Sequence, residues 1–507
     1  MTTFETTFNN PSLPQTKSQR PGDRQKQEGS ALSLKGSAAK AAFLINGNSY
    51  FAELARTLRQ ARRTIWIVGW DFNPNIRLEP DKSDETLADL LHALAAANPK
   101  LEIRILIWAL GPVYSGKSLQ PLRKKNFPRN AQIDLRFELQ PTLRGCHHQK
   151  LVCIDDAVAF IGGIDLTSRR WDTWLHRAKD KLRHDPEGVS YDPLHDVQAM
   201  VTGDAARLIG DIVRQRWENA TGESHLPLAE NVPFAWPDDL AVSMREIAVS
   251  FALTEPSTAL RPGISDGIAI TLDVIARARR QLYIEAQYLA SFRVADAIAA
   301  RLQEEDGPEV VIICTRSSHG LIEKLVMGGN RDRVIRRLKR ADRADRLRVY
   351  YAVVPGPIVP GPVTAKESEV EVLVHSKLII ADDELVRIGS SNLNNRSEGL
   401  DGECDMLVEA GNDAHRRAIV DLRNRLLSEY LGTTPESFAE AFMQSGSLIE
   451  AVDALNDGPR GLREFTVELP GSMSPISGTA IFDPVRPFAV LNRLGLGALV
   501  RLLIRPA

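Results

Sequence analysis

The amino-acid sequence predicts an α/β fold built from two tandem copies of one domain. Segments with helical hydrophobic spacing alternate with short apolar segments typical of buried strands, which indicates layered sheets and helices. A polar motif that begins at His148 occurs again at His375, and the local sequence of residues 61–67 is echoed at 278–284. Because these features follow the same order in both halves, we expect a duplicated domain, each copy a mixed sheet flanked by helices.

The elements before each motif are predicted from their apolar spacing. In the first half we expect a helix over 51–58, a strand over 64–68, a helix over 85–97 and a strand over 101–108. In the second half we expect a helix over 270–278, a strand over 281–285, a helix over 294–304 and a strand over 310–314. Each motif then lies in a predicted hairpin, 150–161 or 374–388, whose turn is an Asp-Asp pair.

Changes in composition predict the domain boundaries. Residues 1–38 contain few large apolar side chains, which indicates a disordered N-terminal tail. Residues 39–225 and 244–432 are predicted to be the two domains, with residues 226–243 as a linker bearing Pro and Asp. Residues 433–507 fit neither copy, and we expect them to form a C-terminal extension.

The repeated motif carries the residues predicted to be catalytic. Each copy reads His-x-Lys-x4-Asp and is followed after six residues by a small, turn-prone tetrad at 162–165 or 389–392. Residues two apart on a strand project from the same face, so each histidine and its lysine are expected to point toward one space. The six motif residues are His148, Lys150, Asp155, His375, Lys377 and Asp382.

Histidine and lysine on a common face suit phosphate chemistry. Lysine supplies a fixed positive donor to the charged oxygens of a phosphodiester. Imidazole, with an unperturbed pKa of about 6.5, can serve as nucleophile or proton donor at neutral pH. One face alone has no acid to accompany its nucleophile, so we expect the two copies to form one composite site. The aspartates Asp155 and Asp382 could take part in the chemistry or hold the hairpin turns, and their place in the turns favours the second role.

Both motifs resemble the signature of the phospholipase D superfamily, in which His-x-Lys-x4-Asp is followed by Gly-Gly/Ser-x-Asn/Asp. Residues 160–173, 195–197, 283–288 and 388–397 are similar to further blocks of its phospholipid-cleaving branch, and bacterial phospholipase D-like proteins are the nearest likeness. The resemblance spans about residues 40–430. It implies two tandem phospholipase D-like domains that form a pseudo-twofold pair around one active site.

The resemblance also implies a two-step mechanism through a phosphohistidine, with no metal and no cofactor. By position, His148 would be the nucleophile and His375 the acid that protonates the departing alcohol. Two carboxylates would orient these histidines, and Asp405 stands where glutamate is more usual. The residues that would bind the phosphoryl oxygens or orient the catalytic groups are Lys150, Lys377, Asp165, Asn392, Ser390, Asp196 and Asp405.

Composition sets limits on partners and location. The net charge of −2 gives no overall attraction to nucleic acid or to an anionic membrane. The four cysteines form no paired metal-type spacing and are too sparse to staple a fold, so a reducing compartment is the default expectation. No apolar run is long enough to span a bilayer, and the N-terminus lacks the order of a secretory signal. We expect a cytoplasmic protein, with peripheral membrane association and specialised secretion both left open.

The function predicted from these residues is cleavage or transfer of the headgroup of glycerophospholipids at a membrane surface. Cardiolipin synthase-like phosphatidyl transfer uses the same site with a lipid alcohol as acceptor and stays open. A nucleic-acid phosphodiesterase is disfavoured by the near-neutral charge, and no nucleic-acid partner is expected. A non-catalytic lipid-binding protein is disfavoured because both motifs are intact. We expect a monomer, since the duplication removes the need for a dimer to complete the site.

Overall fold

The computed structural model describes residues 34–111, 130–140, 145–229, 231–258, 261–317, 327–357 and 369–476, and the single positions 122, 127, 142, 479, 483 and 484. These residues lie within one compact unit that begins at Leu32. Of the predicted tail, residues 1–33 fall outside the described residues, whereas residues 34–38 form the start of a strand. The tail boundary at residue 38 is therefore wrong, because Leu34 already pairs with Phe251 of another strand.

The first half contains helices above a sheet of mostly short strands. Its helices are α1 (Asn46–Leu58), α2 (Leu87–Ala97) and α3 (Asp204–Thr221). Its strands are β1 (Leu34–Ile45), β2 (Thr64–Gly69), β3 (Glu102–Trp108), β4 (Ile133–Glu138), β5 (Leu151–Ile154), β6 (Val158–Gly162), β7 (Leu194–His195) and β8 (Val197–Thr202).

The second half repeats this arrangement and continues into further helices. Its helices are α4 (Asp266–Arg277), α5 (Phe292–Leu302), α6 (Gly329–Ala341), α7 (Asp413–Leu431), α8 (Pro435–Ser445) and α9 (Leu448–Leu455). Its strands are β9 (Met244–Glu255), β10 (Ile264–Ser265), β11 (Gln281–Ala286), β12 (Glu309–Cys314), β13 (Leu347–Pro355), β14 (Glu369–Val374), β15 (Lys377–Ala381), β16 (Leu385–Gly389), β17 (Glu403–Glu409) and β18 (Gly461–Glu464).

Strand pairing follows one order in both halves. The first half runs β4-β3-β2-β5-β6-β8-β1, and the second runs β13-β12-β11-β15-β16-β17-β9. In each half the first three strands of that order are parallel and the others antiparallel. Strands β1 and β9 pair antiparallel, so the hydrogen-bonded ladder passes from one half into the other. The predicted fold of two tandem α/β domains with mixed sheets is confirmed.

Three hydrophobic clusters hold the layers together. One lies under α1 and α2 of the first half, and another under α4, α5 and α6 of the second. The third contains residues of both halves, among them Trp217 of α3, Val249 of β9 and Leu426 of α7, all buried. Because burial of apolar surface is the main favourable contribution to folding, this shared cluster stabilises the two halves as one body.

The predicted elements agree with the structure except at the second motif. We predicted an unbroken strand from residue 374, but the chain leaves β14 at Val374 and enters β15 at Lys377. The break has a physical cause, since β14 pairs with β13 and β7, whereas β15 pairs with β11 and β16. His375 therefore lies at the point where the chain crosses between two ladders. The remaining domain boundaries stay predictions.

Residues within the predicted C-terminal extension pack on the second half. Strand β18 pairs antiparallel with β13, and α8 and α9 contact α7 and each other. Across the ranges that the structure describes, none of the helices combines the length and the apolar composition needed to cross a bilayer.

Candidate active site

The two motifs meet where the halves of the chain contact each other. The backbone amide of His148 donates to the carbonyl of Gly402, and that of His375 donates to the carbonyl of His195, each at 2.8 Å. Val374 also pairs with His195 in a short parallel ladder between β14 and β7. Each motif is thus held by main-chain contacts to the opposite half, as the prediction of one composite site requires.

Two acceptors from the second half orient the His148 ring. Its Nδ1 lies 3.0 Å from Oε2 of Glu403 and 3.0 Å from the carbonyl oxygen of Ser390. Because both neighbours accept, Nδ1 carries the proton and Nε2 keeps its lone pair. The ring of Trp70 lies edge-on to His148, with 6.4 Å between the ring centroids. Within the described part of the chain, Nε2 has no hydrogen-bond partner and can face a substrate.

Glu403 is the carboxylate that orients His148, and sequence reasoning missed it. Its side chain is fully buried and also accepts hydrogen bonds from the hydroxyls of Ser390 at 2.6 Å and Ser397 at 2.7 Å. Burial raises the pKa of Glu403 to about 8, and the negative charge of Asp401 contributes to the rise. A positive charge on the neighbouring ring of His148 favours the ionised form of this carboxyl.

The prediction that Asp405 orients a histidine is wrong. Its carboxylate lies 3.0 Å from the guanidinium of Arg387 and accepts from the backbone amide and hydroxyl of Ser391, at 3.1 and 2.5 Å. Residues 403 and 405 share a face of β17. The alternation of side chains along the strand therefore does not tell which of the two reaches His148. The pairing of Gly389 with Asp405 places Asp405 beneath the tetrad and Glu403 beside His148.

Asp196 orients His375, as predicted. Its Oδ2 lies 2.7 Å from Nδ1 of His375, and burial raises the pKa of this carboxyl. A Cβ atom at Gly163 would lie 2.2 Å from Oδ1 of Asp196, so the second glycine of the first tetrad is required for this close approach. The Nε2 atom of His375, like that of His148, has no partner among the residues that the structure describes.

Each motif lysine is buried and held by its own motif. Lys150 Nζ donates to the carbonyl of His148 at 2.7 Å, and Lys377 Nζ donates to the carbonyl of His375. Lys377 also donates to Oε1 of Gln287 at 3.0 Å, a contact that the sequence did not predict. Both ammonium groups therefore lie beside the histidines, where the phosphoryl oxygens of a substrate are expected.

Asp165 and Ser390 of the tetrads contact other groups of the site, which fits the orienting role that was one of the two predicted for them. Asp165 lies 3.2 Å from Lys150 Nζ and accepts from the backbone amide of Trp70 at 2.9 Å, so it positions the lysine and cannot donate to a phosphate. The hydroxyl of Ser390 is used by Glu403 and by the amide of Cys404 at 3.0 Å. The buried Oδ1 of Asn392 has no hydrogen-bond partner within the described residues. Because an amide oxygen only accepts, the phosphate-binding role of Asn392 stays a prediction for its amide nitrogen.

Burial and the neighbouring cations both disfavour a charge on the two imidazoles. Burial lowers the pKa of His148 well below its usual range, and the charges of Lys150 and Lys377 lower it further. Burial and Lys377 do the same for His375, and Arg170 adds to the effect. A bound phosphodiester carries a negative charge that offsets these cations, so substrate binding favours protonation of one ring.

The motif aspartates hold hairpin turns and are not part of the reacting site. Asp155 accepts from the backbone amides of residues 62, 63 and 64, each at 2.7 Å, and Asp382 accepts from those of residues 279, 280 and 281 at 2.5–2.9 Å. Both have positive φ, 55° and 54°. Seven residues of largely extended chain place each aspartate roughly 20 Å from its histidine. Their assignment to the catalytic set is therefore wrong, and the alternative turn role is correct.

A chain of buried charges behind His375 was not predicted. Nδ1 of His195 lies 2.9 Å from Glu429 and Nε2 lies 3.0 Å from Glu285, while His176 bridges Glu429 and Asp172 at 2.9 Å each. Burial opposes a charge on His195, but the two carboxylates outweigh it and raise its pKa to about 10. These residues are far apart in sequence, and only the fold brings them together.

The same chain contains the candidate metal ligands of the described residues. The ligand atoms of His176, His195 and Glu429 lie within 4.8 Å of one another. Each imidazole, however, contacts a carboxylate through both of its nitrogens, and the pKa of both rings is raised. Protonated nitrogens have no lone pair for a metal, so this geometry fits an ion-pair chain.

Two protein-family models match the chain. Residues 57–249 match the model described as Phospholipase D, and residues 271–420 match the model described as Cardiolipin synthase, PLD-like domain. The first match contains His148 and the second contains His375. Both halves of the repeat are thus recognised separately.

Relatives and one solved structure are similar along most of the chain. Phospholipase D1 of Saccharomyces cerevisiae is 26% identical over 485 residues, covering 77% of this chain and 28% of the relative. Phospholipase D alpha 1 of Carica papaya is 24% identical over 518 residues, covering 76% and 64%. The chain therefore spans less than two thirds of either relative. The crystal structure of phosphatidylserine synthase from Haemophilus influenzae Rd KW20 has the same fold, with a TM-score of 0.54, 14% identity, and coverage of 93% of this chain and 97% of that one.

Proposed function

The chain belongs to the phospholipase D superfamily, and we propose that it is a phosphodiesterase that cleaves or transfers the headgroup of glycerophospholipids. The observation that carries this proposal is the pair of imidazoles, each with Nδ1 held by a carboxylate of the opposite half and with an Nε2 that has no partner among the described residues. Such a pair supplies a nucleophile and an acid to one phosphorus atom.

In the first step, Nε2 of His148 attacks the phosphorus of the lipid. A P–N bond forms and the bond from phosphorus to the headgroup oxygen breaks, while Nε2–H of His375 gives its proton to that oxygen. Lys150 and Lys377 donate to the non-bridging oxygens, and the amide nitrogen of Asn392 donates there as well. Glu403 stabilises the positive charge that develops on His148, because its Oε2 lies 3.0 Å from Nδ1.

In the second step, the phosphatidyl group is transferred from Nε2 of His148 to an acceptor. Nε2 of His375, now neutral, takes a proton from water or an alcohol, whose oxygen attacks phosphorus as the P–N bond breaks. Water gives phosphatidate, and an alcohol gives a phospholipid with a new headgroup. The aligned imidazole contributes about 10²–10⁴-fold to such proton transfers.

The acceptor defines a second candidate function. Residues 271–420, which contain His375, match a model described as a cardiolipin synthase domain. This favours a lipid alcohol, such as the free glycerol hydroxyl of phosphatidylglycerol, as an acceptor to test beside water.

The test combines pure protein with mixed micelles of phosphatidylcholine, phosphatidylethanolamine or phosphatidylglycerol, with and without ethanol. Mass spectrometry of the lipids reports hydrolysis as phosphatidate and transfer as phosphatidylethanol. Phosphatidylglycerol alone separates the candidates, because only synthase activity gives cardiolipin and free glycerol. Release of no headgroup from any of these lipids, under conditions where the protein is folded, would contradict the proposal.

A nuclease is the competing class of enzyme, and it needs a matched control. Plasmid DNA and RNA are incubated with the same protein in the presence of a chelator. His148→Asn serves as the inactive control in every assay. Nucleic-acid cleavage that His148→Asn abolishes, without any lipid product, would replace the proposed substrate class.

A further inference from the structure

Ser376 lies between the histidine and the lysine of the second motif, and its side chain contacts a buried group behind the site. Strand β14 ends at Val374 and β15 begins at Lys377, so residues 375 and 376 lie where the chain crosses between two ladders. The side chain of Ser376 is fully buried, and its hydroxyl donates to Oε2 of Glu285 at 2.5 Å. A hydrogen bond to a carboxylate is roughly twice as strong as one between neutral groups. This contact therefore holds the crossing segment that carries His375.

Glu285 is itself held at both carboxylate oxygens. It is a buried residue of β11, and its Oε1 accepts from the hydroxyl of Tyr283 at 2.6 Å. Its Oε2 lies 3.0 Å from Nε2 of His195. A side chain that is packed and hydrogen-bonded in this way keeps one rotamer. Ser376 is therefore anchored on an acceptor with a fixed position.

His195 links Glu285 back to the acid. The carbonyl of His195 accepts from the backbone amide of His375 at 2.8 Å, while its imidazole contacts the carboxylate oxygen that holds Ser376. The next residue, Asp196, lies 2.7 Å from Nδ1 of His375. The backbone of His375 and the carboxylate that orients its imidazole are thus both tied to Glu285.

The first motif has the same arrangement with different residue types. Gln149 lies between His148 and Lys150, and its Oε1 accepts from Nη1 of the buried Arg216 at 2.6 Å. Its Nε2 donates to the carbonyl of Glu403 at 3.2 Å, and Glu403 also orients His148. In both motifs the middle residue is therefore anchored on buried groups of the fold.

We propose that Ser376 is a positioning residue for His375, which acts through its hydrogen bond to Glu285. The proposal rests on the proposed function, because it takes His375 as the acid that protonates the departing headgroup oxygen. Proton transfer requires hydrogen-bond geometry, and a displacement of about 1 Å can cost on the order of 10²-fold in rate. Ser376 affects the rate through the place of the imidazole, without contact to the substrate.

Two leaving groups test this role. The choline headgroup of phosphatidylcholine needs a proton as it departs, whereas p-nitrophenol leaves phosphatidyl-p-nitrophenol without one. We expect Ser376→Ala to lower kcat on phosphatidylcholine by about 10–100-fold, with KM changed by no more than a few-fold. Release of p-nitrophenol in the first turnover should stay within a few-fold of wild type, because His148 and its partners are unchanged.

The matched control removes another buried hydroxyl. Thr57 is fully buried in α1, where its hydroxyl donates to the carbonyl of Glu53 at 2.6 Å. Thr57→Val should leave the ratio of the two activities unchanged. If Ser376→Ala lost both activities equally, or neither, the proposal would be overturned while the proposed function stands.

Nitrogen NMR of protein labelled with ¹⁵N-histidine gives a readout without turnover. The signals of His375 are identified by their loss in His375→Asn. In the wild type we expect the tautomer with the proton on Nδ1, because Asp196 accepts there. Ser376→Ala should move both nitrogen shifts of His375 toward the average of the two tautomers and leave those of His148 in place. Unchanged shifts of His375 would overturn the proposal, whether or not the protein cleaves lipids.

Discussion

Nδ1 of His148 and Oε2 of Glu403 are 3.0 Å apart, although 255 residues separate them in the chain. The relationship is reciprocal, since Nδ1 of His375 lies 2.7 Å from Oδ2 of Asp196. Each half thus provides a histidine to the site and a carboxylate to the histidine of the other half. Neither half holds an oriented imidazole by itself.

Substitutions of the two histidines are expected to block different steps of the reaction. His148→Asn should abolish turnover of every substrate, because no P–N bond can form. His375→Asn should lose about 10²–10⁴-fold on natural lipids, yet still release p-nitrophenol from phosphatidyl-p-nitrophenol, because that leaving group needs no proton. A burst of p-nitrophenol followed by slow turnover, with a phosphatidyl group on a peptide containing His148, is the expected result. A phosphatidyl group on a peptide containing His375 would exchange the two roles.

Substitutions of Glu403 and Asp405 are expected to affect different properties, kcat for Glu403 and thermal stability for Asp405. Glu403→Gln cannot ionise and so cannot balance the charge on His148 during attack, and we expect kcat to fall by about 10–100-fold. Asp405→Asn should leave kcat per folded molecule within a few-fold and lower the thermal stability, since Asp405 holds Arg387 and Ser391. Steady-state kinetics and thermal unfolding of both variants provide the test. The opposite pattern would restore Asp405 as the orienting residue.

Asp155 should matter for stability more than for catalysis. Asp155→Ala leaves three backbone amides without their acceptor, and we expect it to lower the free energy of unfolding by about 2–4 kcal/mol. Activity per folded molecule should persist, because the carboxylate is remote from His148. Denaturant unfolding measures the loss, with Asp84→Ala as the control, since that side chain is 98% exposed. A folded Asp155→Ala protein without activity would return Asp155 to the catalytic set.

The charge on His195 should make the free energy of unfolding decrease as the pH becomes alkaline. Its pKa is raised from the usual 6.5 to about 10 in the folded protein, where it faces Glu285 and Glu429, with the rings of His176 and Tyr430 packed nearby. The raised pKa gives a contribution that is full below pH 6.5 and is lost as the pH rises toward 10. Unfolding free energies measured between pH 6 and 10 should fall more steeply for wild type than for His195→Gln. Parallel curves would show that His195 is not charged in the fold.

The sequence predicted the features that depend on local pattern. The motif offsets were enough to predict the hairpin turns and the duplicated sheet, because hydrophobic period and turn chemistry are encoded within a few residues. Asp196 was found by its place in a family block, not by its geometry.

The residues that were missed depend on pairing between distant strands. Glu403 and Asp405 differ by one period of β17, and only the register with β16 decides which one reaches His148. Gln287 reaches Lys377 because β11 pairs with β15. The contact of His195 with Glu429 needs α7 to cross from the second half to the first. Register and long-range packing of this kind cannot be deduced from the period of a single segment.

The exchange of carboxylates between halves also affects how the protein is made. A ribosome that has just completed His148 must add 255 more residues before Glu403 exists. At about 5–20 residues per second, this takes on the order of 10–50 s. Throughout that interval the nascent chain lacks the carboxylate that holds Nδ1 of His148, so a truncated or stalled product does not contain the oriented nucleophile of the proposed mechanism.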